Sequence, residues 1–181
     1  MNMKLLKDIL HNVNVQTLIG DDKNSINKIV FESKKCEVNT LFCAIPGNVF
    51  DGHKFIDDAI ISGATAIVCE KLPKKLKEGI TYIKVRDSRE SLSFISSNFF
   101  ENPSKKIKVI GVTGTNGKTT IATLLFNLFR QLKYNCGLIS TIENRINDFV
   151  FSSSSTTPDS IKTNELLSKM VLHGCKFCFM E

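Results

Sequence analysis

Apolar positions along the chain alternate between two periods. Leu5, Leu6, Ile9 and Leu10 fit a short amphipathic helix. Residues 40–46 (TLFCAIP) predict a buried strand, followed by a polar loop over 47–53 that contains Gly47 and Gly52. Phe55, Ile56, Ala59 and Ile60 return to helical spacing, and Gly63 stops that helix. Residues 64–69 predict a second buried strand, 72–79 a Lys-rich connection and 80–85 an alternating strand. Leu92, Ile95 and Phe99 mark another helix. Asn102-Pro103-Ser104-Lys105-Lys106 interrupts the apolar pattern, as a linker does.

After this break the pattern sharpens. Residues 107–112 read as a strand, 114–117 as a tight loop, and 136–141 as the next strand. Between them Ile121, Leu124, Leu125, Leu128, Phe129 and Leu132 follow helical spacing. Strand, loop, helix, strand is a βαβ unit and implies a parallel sheet. Pro158 suits the first turn of a second helix, whose apolar face is Ile161, Leu166, Leu167 and Met170 and which Gly174 closes. A last strand starts at Cys175 and reaches Glu181 with no helix after it. The fold class is α/β: a small N-terminal α/β domain over 1–103, then the first part of a parallel-sheet domain over 104–181. In open α/β sheets ligands bind beyond the carboxyl ends of strands, which places Glu181 at the site edge. The chain is expected to be part of a longer enzyme, with an apolar sheet edge open near 175–180.

Charge excludes little. The net charge is +6, and residues 1–106 and 107–181 each carry +3. A nucleic-acid binder concentrates its basic residues in a patch, so no nucleic-acid partner is expected, whereas an anionic small substrate fits. Several of the six cysteines lie in apolar runs, as free core thiols do. Cys175 and Cys178 have metal-site spacing, but no second such pair exists. No apolar stretch approaches the ~18 residues of a membrane span, and charges break the N-terminal apolar run. A cytoplasmic, monomeric protein is expected.

The motif that changes the picture is 111–120 (GVTGTNGKTT), set between a strand and a helix. Glycines let backbone N–H groups turn inward around an anion, and the helix N-terminus adds partial positive charge. Lys118 can reach β- and γ-phosphates, and the Thr119 hydroxyl suits a Mg²⁺ ion that keeps several waters. The usual phosphate-loop spacing would need Gly where Val112 stands, so the fit is to a shorter GTNGKT form.

This loop resembles that of the Mur ligases and of folylpolyglutamate synthetases. Residues 32–34 (ESK), 40–47 (TLFCAIPG), 51–56 (DGHKFI) and 63–64 (GA) resemble the uridine-nucleotide domain of Mur ligases of the MurE and MurF types. Residues 140–144 (STIEN) and 155–159 (STTPD) resemble the MurE type in particular, and 179–181 (FME) the start of a family metal segment. The resemblance implies that Gly114, Thr115, Asn116, Gly117, Lys118, Thr119 and Thr120 hold ATP, with Lys118 catalytic. It implies that Thr119 and Glu181 bind Mg²⁺. Ser33, Asn48, Val49 and Phe50 would contact the uridine nucleotide, and Ser155, Thr156 and Thr157 the sugar-peptide. Helix capping before Pro158 is the competing reading of the two threonines. The family reads Asp-Ser-Arg where Glu32-Ser33-Lys34 stand, and Lys cannot reproduce an Arg fork.

The activity implied is ATP-dependent amide formation in peptidoglycan precursor synthesis. Meso-diaminopimelate or lysine would join UDP-MurNAc-L-Ala-D-Glu through an acyl phosphate. The MurF type is the alternative, although its loop more often carries Ser where Thr115 and Asn116 stand. A phosphate-loop kinase or GTPase fits less well, because no uridine domain precedes those. A chain that binds nucleotide without turnover is the non-enzymatic alternative.

Overall fold

A computed structural model describes residues 3–47, 50–153 and 156–181. In chain order the first elements are β1 (Lys4–Leu5), α1 (Leu6–Ile9), β2 (Val15–Ile19), β3 (Ser25–Ile26) and β4 (Lys28–Val30). There follow β5 (Thr40–Cys43), α2 (Ile56–Ile61), β6 (Ala64–Cys69), β7 (Thr81–Val85) and α3 (Ser88–Phe99). The second half holds β8 (Lys108–Gly111), α4 (Lys118–Gln131), β9 (Cys136–Ile139), β10 (Glu143–Ile146), β11 (Phe149–Ser152), α5 (Ser160–Leu172) and β12 (Phe177–Met180). The chain divides into two compact units, Met1–Phe99 and Phe100–Glu181.

In the first unit the main sheet runs β2-β7-β6-β5-β4. β4 through β7 are mutually parallel, and β2 is antiparallel to β7. One face buries Phe42, Ile67 and Tyr82 against Ile56 and Ala59 of α2. Leu41, Ala66, Val68 and Ile83 alternate with these along the strands and are also buried, so they occupy the opposite face. α1 and α3 touch one another, and their Leu6, Ile9, Leu92 and Ile95 are buried.

The second unit's sheet runs β11-β10-β9-β12-β8, with β8, β12 and β9 parallel. β12 therefore lies in the middle of the sheet, and the expected open edge near 175–180 is not there. The edges are β8 and β11, and Phe149, Val150 and Phe151 of β11 are exposed. α5 covers one face through Leu166, Leu167 and Met170 on Ile139, Ile146 and Cys178. α4 covers the other through Ala122 and Phe126 on Cys136, Leu138 and Phe179.

Three local readings differ from expectation. The segment expected as a linker is ordered in the second unit: a 3₁₀ turn at Pro103–Lys105 packs on α5, with Pro103 buried. The turn after α3 is made instead by Glu101 and Asn102, at φ 64° and 52°. Pro158 lies outside α5, whose N-cap is Asp159, accepting a hydrogen bond from the Lys162 N–H at 2.8 Å. The hairpin β10–β11 was not expected. It closes on Asn147-Asp148, with Asn147 left-handed at φ 52°, a conformation Asn tolerates.

All six cysteines are free; five are buried and Cys36 is half-buried. Among the described residues no cluster of three His, Cys, Asp or Glu side chains could hold a metal, so Cys175 and Cys178 belong to none. No helix among them is long and apolar enough to cross a membrane.

Candidate functional site

Two sets of loops lie at the carboxyl edges of parallel strands, one set in each unit. In the second unit, β8 runs into residues 112–117 and these into α4. Val112 N–H donates to the Met180 carbonyl at 2.7 Å, which fixes the loop's start on β12. Gly117 is the residue before α4 and has φ 78°, where any Cβ would be strained although nothing lies within 4 Å of its place. The Lys118 ammonium donates to the Gly114 carbonyl at 2.7 Å, so it stands across the mouth of its own loop. Thr115, Asn116 and Thr120 are exposed around it.

Glu181 follows β12 and is only 8% exposed. Its carboxylate accepts from the Thr119 hydroxyl at 2.7 Å and from the Thr141 backbone N–H. Burial pushes the Glu181 carboxyl up. The Thr141 N–H, the Thr119 and Thr141 hydroxyls and the charge of Lys118 outweigh that, and its pKa lies below the usual value. Thr119, Lys118 and Glu181 thus come from a helix start and a neighbouring strand end, as the parallel β8–β12 pairing requires. Thr156 joins them through a hydroxyl contact with Thr141 at 3.0 Å, and Thr157 donates to the Glu181 carbonyl at 3.2 Å. Neither caps α5, since Asp159 does. Ser155 lies outside the described residues.

Sequence reasoning assigned no role to Thr141. Its signal was positional: β9 is parallel to β12, and Ile139 pairs with Met180. The residues just beyond β9 must therefore lie beside Glu181.

A hydroxyl beside an ionised carboxylate, both oxygen donors, fits Mg²⁺, which is usually held by one or two carboxylates plus phosphate oxygens. The glycine loop, the α4 N-terminus and Lys118 fit a polyphosphate.

In the first unit Ser33 opens a 3₁₀ turn just after β4, and Phe50, 71% exposed, stands in the loop after β5. Both lie at the carboxyl edge of the parallel strands. Asn48 and Val49 lie outside the described residues. The loop is pinned at both ends, by Gly47 N–H to the Phe50 carbonyl and Gly52 N–H to the Ile45 carbonyl, each 2.9 Å. A Cβ on Gly47 would sit 2.7 Å from the Phe50 carbonyl oxygen, so the turn needs glycine there.

Comparison with known proteins adds the following. Residues 25–100 match the Mur ligase family catalytic domain, and 112–181 the Mur ligase middle domain. A UDP-N-acetylmuramoyl-L-alanyl-D-glutamate–2,6-diaminopimelate ligase from Cytophaga hutchinsonii is 49% identical over 177 residues. That match takes in 97% of this chain and 36% of the relative, so the chain spans about a third of the length of the curated relatives it matches. A solved structure of a ligase with the same name superposes with a TM-score of 0.76 at 21% identity, over 98% of this chain and 35% of that one. At that identity the likeness speaks for the fold alone. The MurF ligase of Thermotoga maritima, solved with ADP, has a TM-score of 0.54 at 26% identity, over 77% of this chain and 28% of that one.

Proposed function

The chain belongs to the Mur ligase family, and on that premise we propose that it supplies the nucleotide-sugar and ATP sites of a cytoplasmic MurE-type ligase. The reaction is ATP-dependent attachment of an amino acid to UDP-MurNAc-L-Ala-D-Glu through an acyl phosphate. Diaminopimelate is the favoured amino acid, being the one in the relatives' name.

The observation that carries this reading is the convergence on Glu181. One carboxylate takes hydrogen bonds from the residue after Lys118 and from the second residue beyond β9. Glu181 and Thr119 would hold Mg²⁺, which supplies charge neutralisation at the phosphates. Lys118 would leave the Gly114 carbonyl for β- and γ-phosphate oxygens and offset the charge that develops there during transfer. Gly114, Thr115, Asn116, Gly117 and Thr120 would line the phosphates. Thr156 and Thr157, tied to Thr141 and Glu181, would bring the sugar-peptide to the same edge. Ser33 and Phe50 would receive the uridine nucleotide.

The test is calorimetric titration of the chain with Mg-ATP and with UDP-MurNAc-dipeptide. Both are expected to bind, with Lys118→Ala losing only the first and Ser33→Ala weakening only the second. Equal affinity for sulfate would reduce the reading to charge alone.

Coverage of only about a third of the relatives' length favours a second reading for these 181 residues taken by themselves: binding of both nucleotides without ligation. Phosphate release with Mg-ATP, UDP-MurNAc-dipeptide and diaminopimelate separates the two.

A further inference from the structure

In the first unit a closed circuit of contacts joins two loops and the start of α3 at the carboxyl edge of the sheet. Asp51 Oδ1 accepts from the His53 backbone N–H at 3.0 Å and lies 2.7 Å from His53 Nδ1. On the far side of the ring, His53 Nε2 lies 2.9 Å from the Glu70 backbone N–H and 3.3 Å from that of Lys71. A backbone N–H only donates, so Nε2 accepts and the ring proton resides on Nδ1, donated to Asp51. The Glu70 carboxylate then accepts from both the backbone N–H and the hydroxyl of Ser88, each at 3.0 Å. Arg89, next in the chain, donates to the Pro46 carbonyl at 3.4 Å, and Pro46 bridges back to Asp51. The loops after β5 and β6 and the start of α3 are thereby linked into one ring around the turn that carries Phe50.

We propose that His53 is the positioning residue of the nucleotide-sugar site: its neutral ring spans from the β5 loop to the β6 loop and keeps Asp51, and with it Gly47 and Phe50, in place. This rests on the uridine-nucleotide reading of that turn. The His53 side chain is 14% exposed and both ring nitrogens are engaged, so the role is to hold the loop and not to touch the ligand. The bonds from His53, its backbone N–H first, keep the Asp51 carboxyl below the usual range, which supports its place as the acceptor. Loss of the Nε2 acceptor would strand two backbone N–H groups, and a lost hydrogen bond of this kind is felt as about a tenfold change.

Three variants of the 181-residue chain separate the two ends of the ring. His53→Gln can still accept from Glu70 and Lys71, His53→Asn can still donate to Asp51, and His53→Leu does neither. Affinity for UDP-MurNAc-L-Ala-D-Glu is read by calorimetry, with Mg-ATP affinity as the control and amide exchange at Glu70 and Lys71 as the local readout. His53→Asn and His53→Leu are expected to weaken nucleotide-sugar binding about tenfold and to speed exchange at both amides. His53→Gln is expected to stay within about threefold of the parent, and Mg-ATP affinity to be unchanged throughout. Glu70→Ala cuts the ring beyond His53 and should weaken binding in the same direction, which keeps the idea testable if His53→Leu does not fold. Unchanged affinity in the Asn and Leu variants, or equal losses in Gln and Asn, overturns the role of His53 and leaves the uridine reading standing. A parent chain that binds no nucleotide-sugar overturns both.

Discussion

Lys118 and Glu181 both act at the start of α4, and each is held by a different partner. The ammonium sits on the Gly114 carbonyl, and the carboxylate on Thr119 and Thr141. In a ligase that carries this chain, Lys118→Ala should lower kcat/KM by roughly 10²–10³, the usual effect of removing one such contact. Phosphate release measures it, and near-parental turnover would remove Lys118 from the mechanism. Glu181 makes a prediction about pH. Its folded pKa is depressed, so its stabilisation is complete above the ordinary Glu value of about 4.3 and fades as pH falls toward the folded one. Urea unfolding of the chain and of Glu181→Gln should differ by a constant amount near neutrality and converge in acid. A difference that grows as pH falls would contradict the sign.

At the scale of elements, α4 shows where pattern reading stops. Its spacing implied one apolar face made of Ile121, Leu124, Leu125, Leu128, Phe129 and Leu132. The helix instead buries Ala122 and Phe126, with Leu125 and Phe129 packed beside them, and leaves Ile121, Leu124, Leu128 and Leu132 exposed. Two apolar stripes run along the helix, and periodicity cannot say which one meets a sheet. Phe126→Ala should cost about 3–5 kcal/mol, whereas Leu124→Ala should stay within about 0.5 kcal/mol. Chemical denaturation compares them; equal losses would mean that both stripes are covered in solution. The buried strands β5 and β6 were legible because continuous apolar runs flanked by polar loops have few other interpretations, and β7 because its apolar and polar positions alternate. The hairpin β10–β11 was missed because its β11 half is apolar yet exposed, and its signal lay in Asn147-Asp148. In the site, the glycine loop and Lys118 were legible from local spacing. The Thr141–Glu181 contact was not, because it depends on which strands become neighbours.

The whole molecule consists of two units with separate cores, and each contains one tyrosine, Tyr82 in the first and Tyr134 in the second. With no tryptophan in the chain, Tyr134→Phe leaves a fluorophore only in the first unit, and Tyr82→Phe only in the second. Separate cores allow unfolding that is not two-state. Mg-ATP at about a hundred times its Kd should raise the stability seen by Tyr134 by about 2.7 kcal/mol and leave that seen by Tyr82 unchanged. A uridine nucleotide that lacks the sugar-peptide should do the reverse. Ligand shifts that always move both signals together would show a single cooperative body.

The free thiols have a consequence for handling and for measurement. Cys36, Cys43 and Cys69 belong to the first unit, Cys136, Cys175 and Cys178 to the second. Burial raises every one of them: Cys36, Cys69, Cys136 and Cys175 to about 11, Cys178 to about 12, and Cys43 further still. Only the thiolate reacts. At a pKa of about 11, roughly one such thiol in a thousand is ionised at pH 8. Iodoacetamide therefore has little to attack until a unit opens, whereupon its three sulfurs become ordinary thiols together. Counting alkyl groups by mass against time then turns the cysteines into two independent clocks, one for the opening of each unit, written into the chain without any added label.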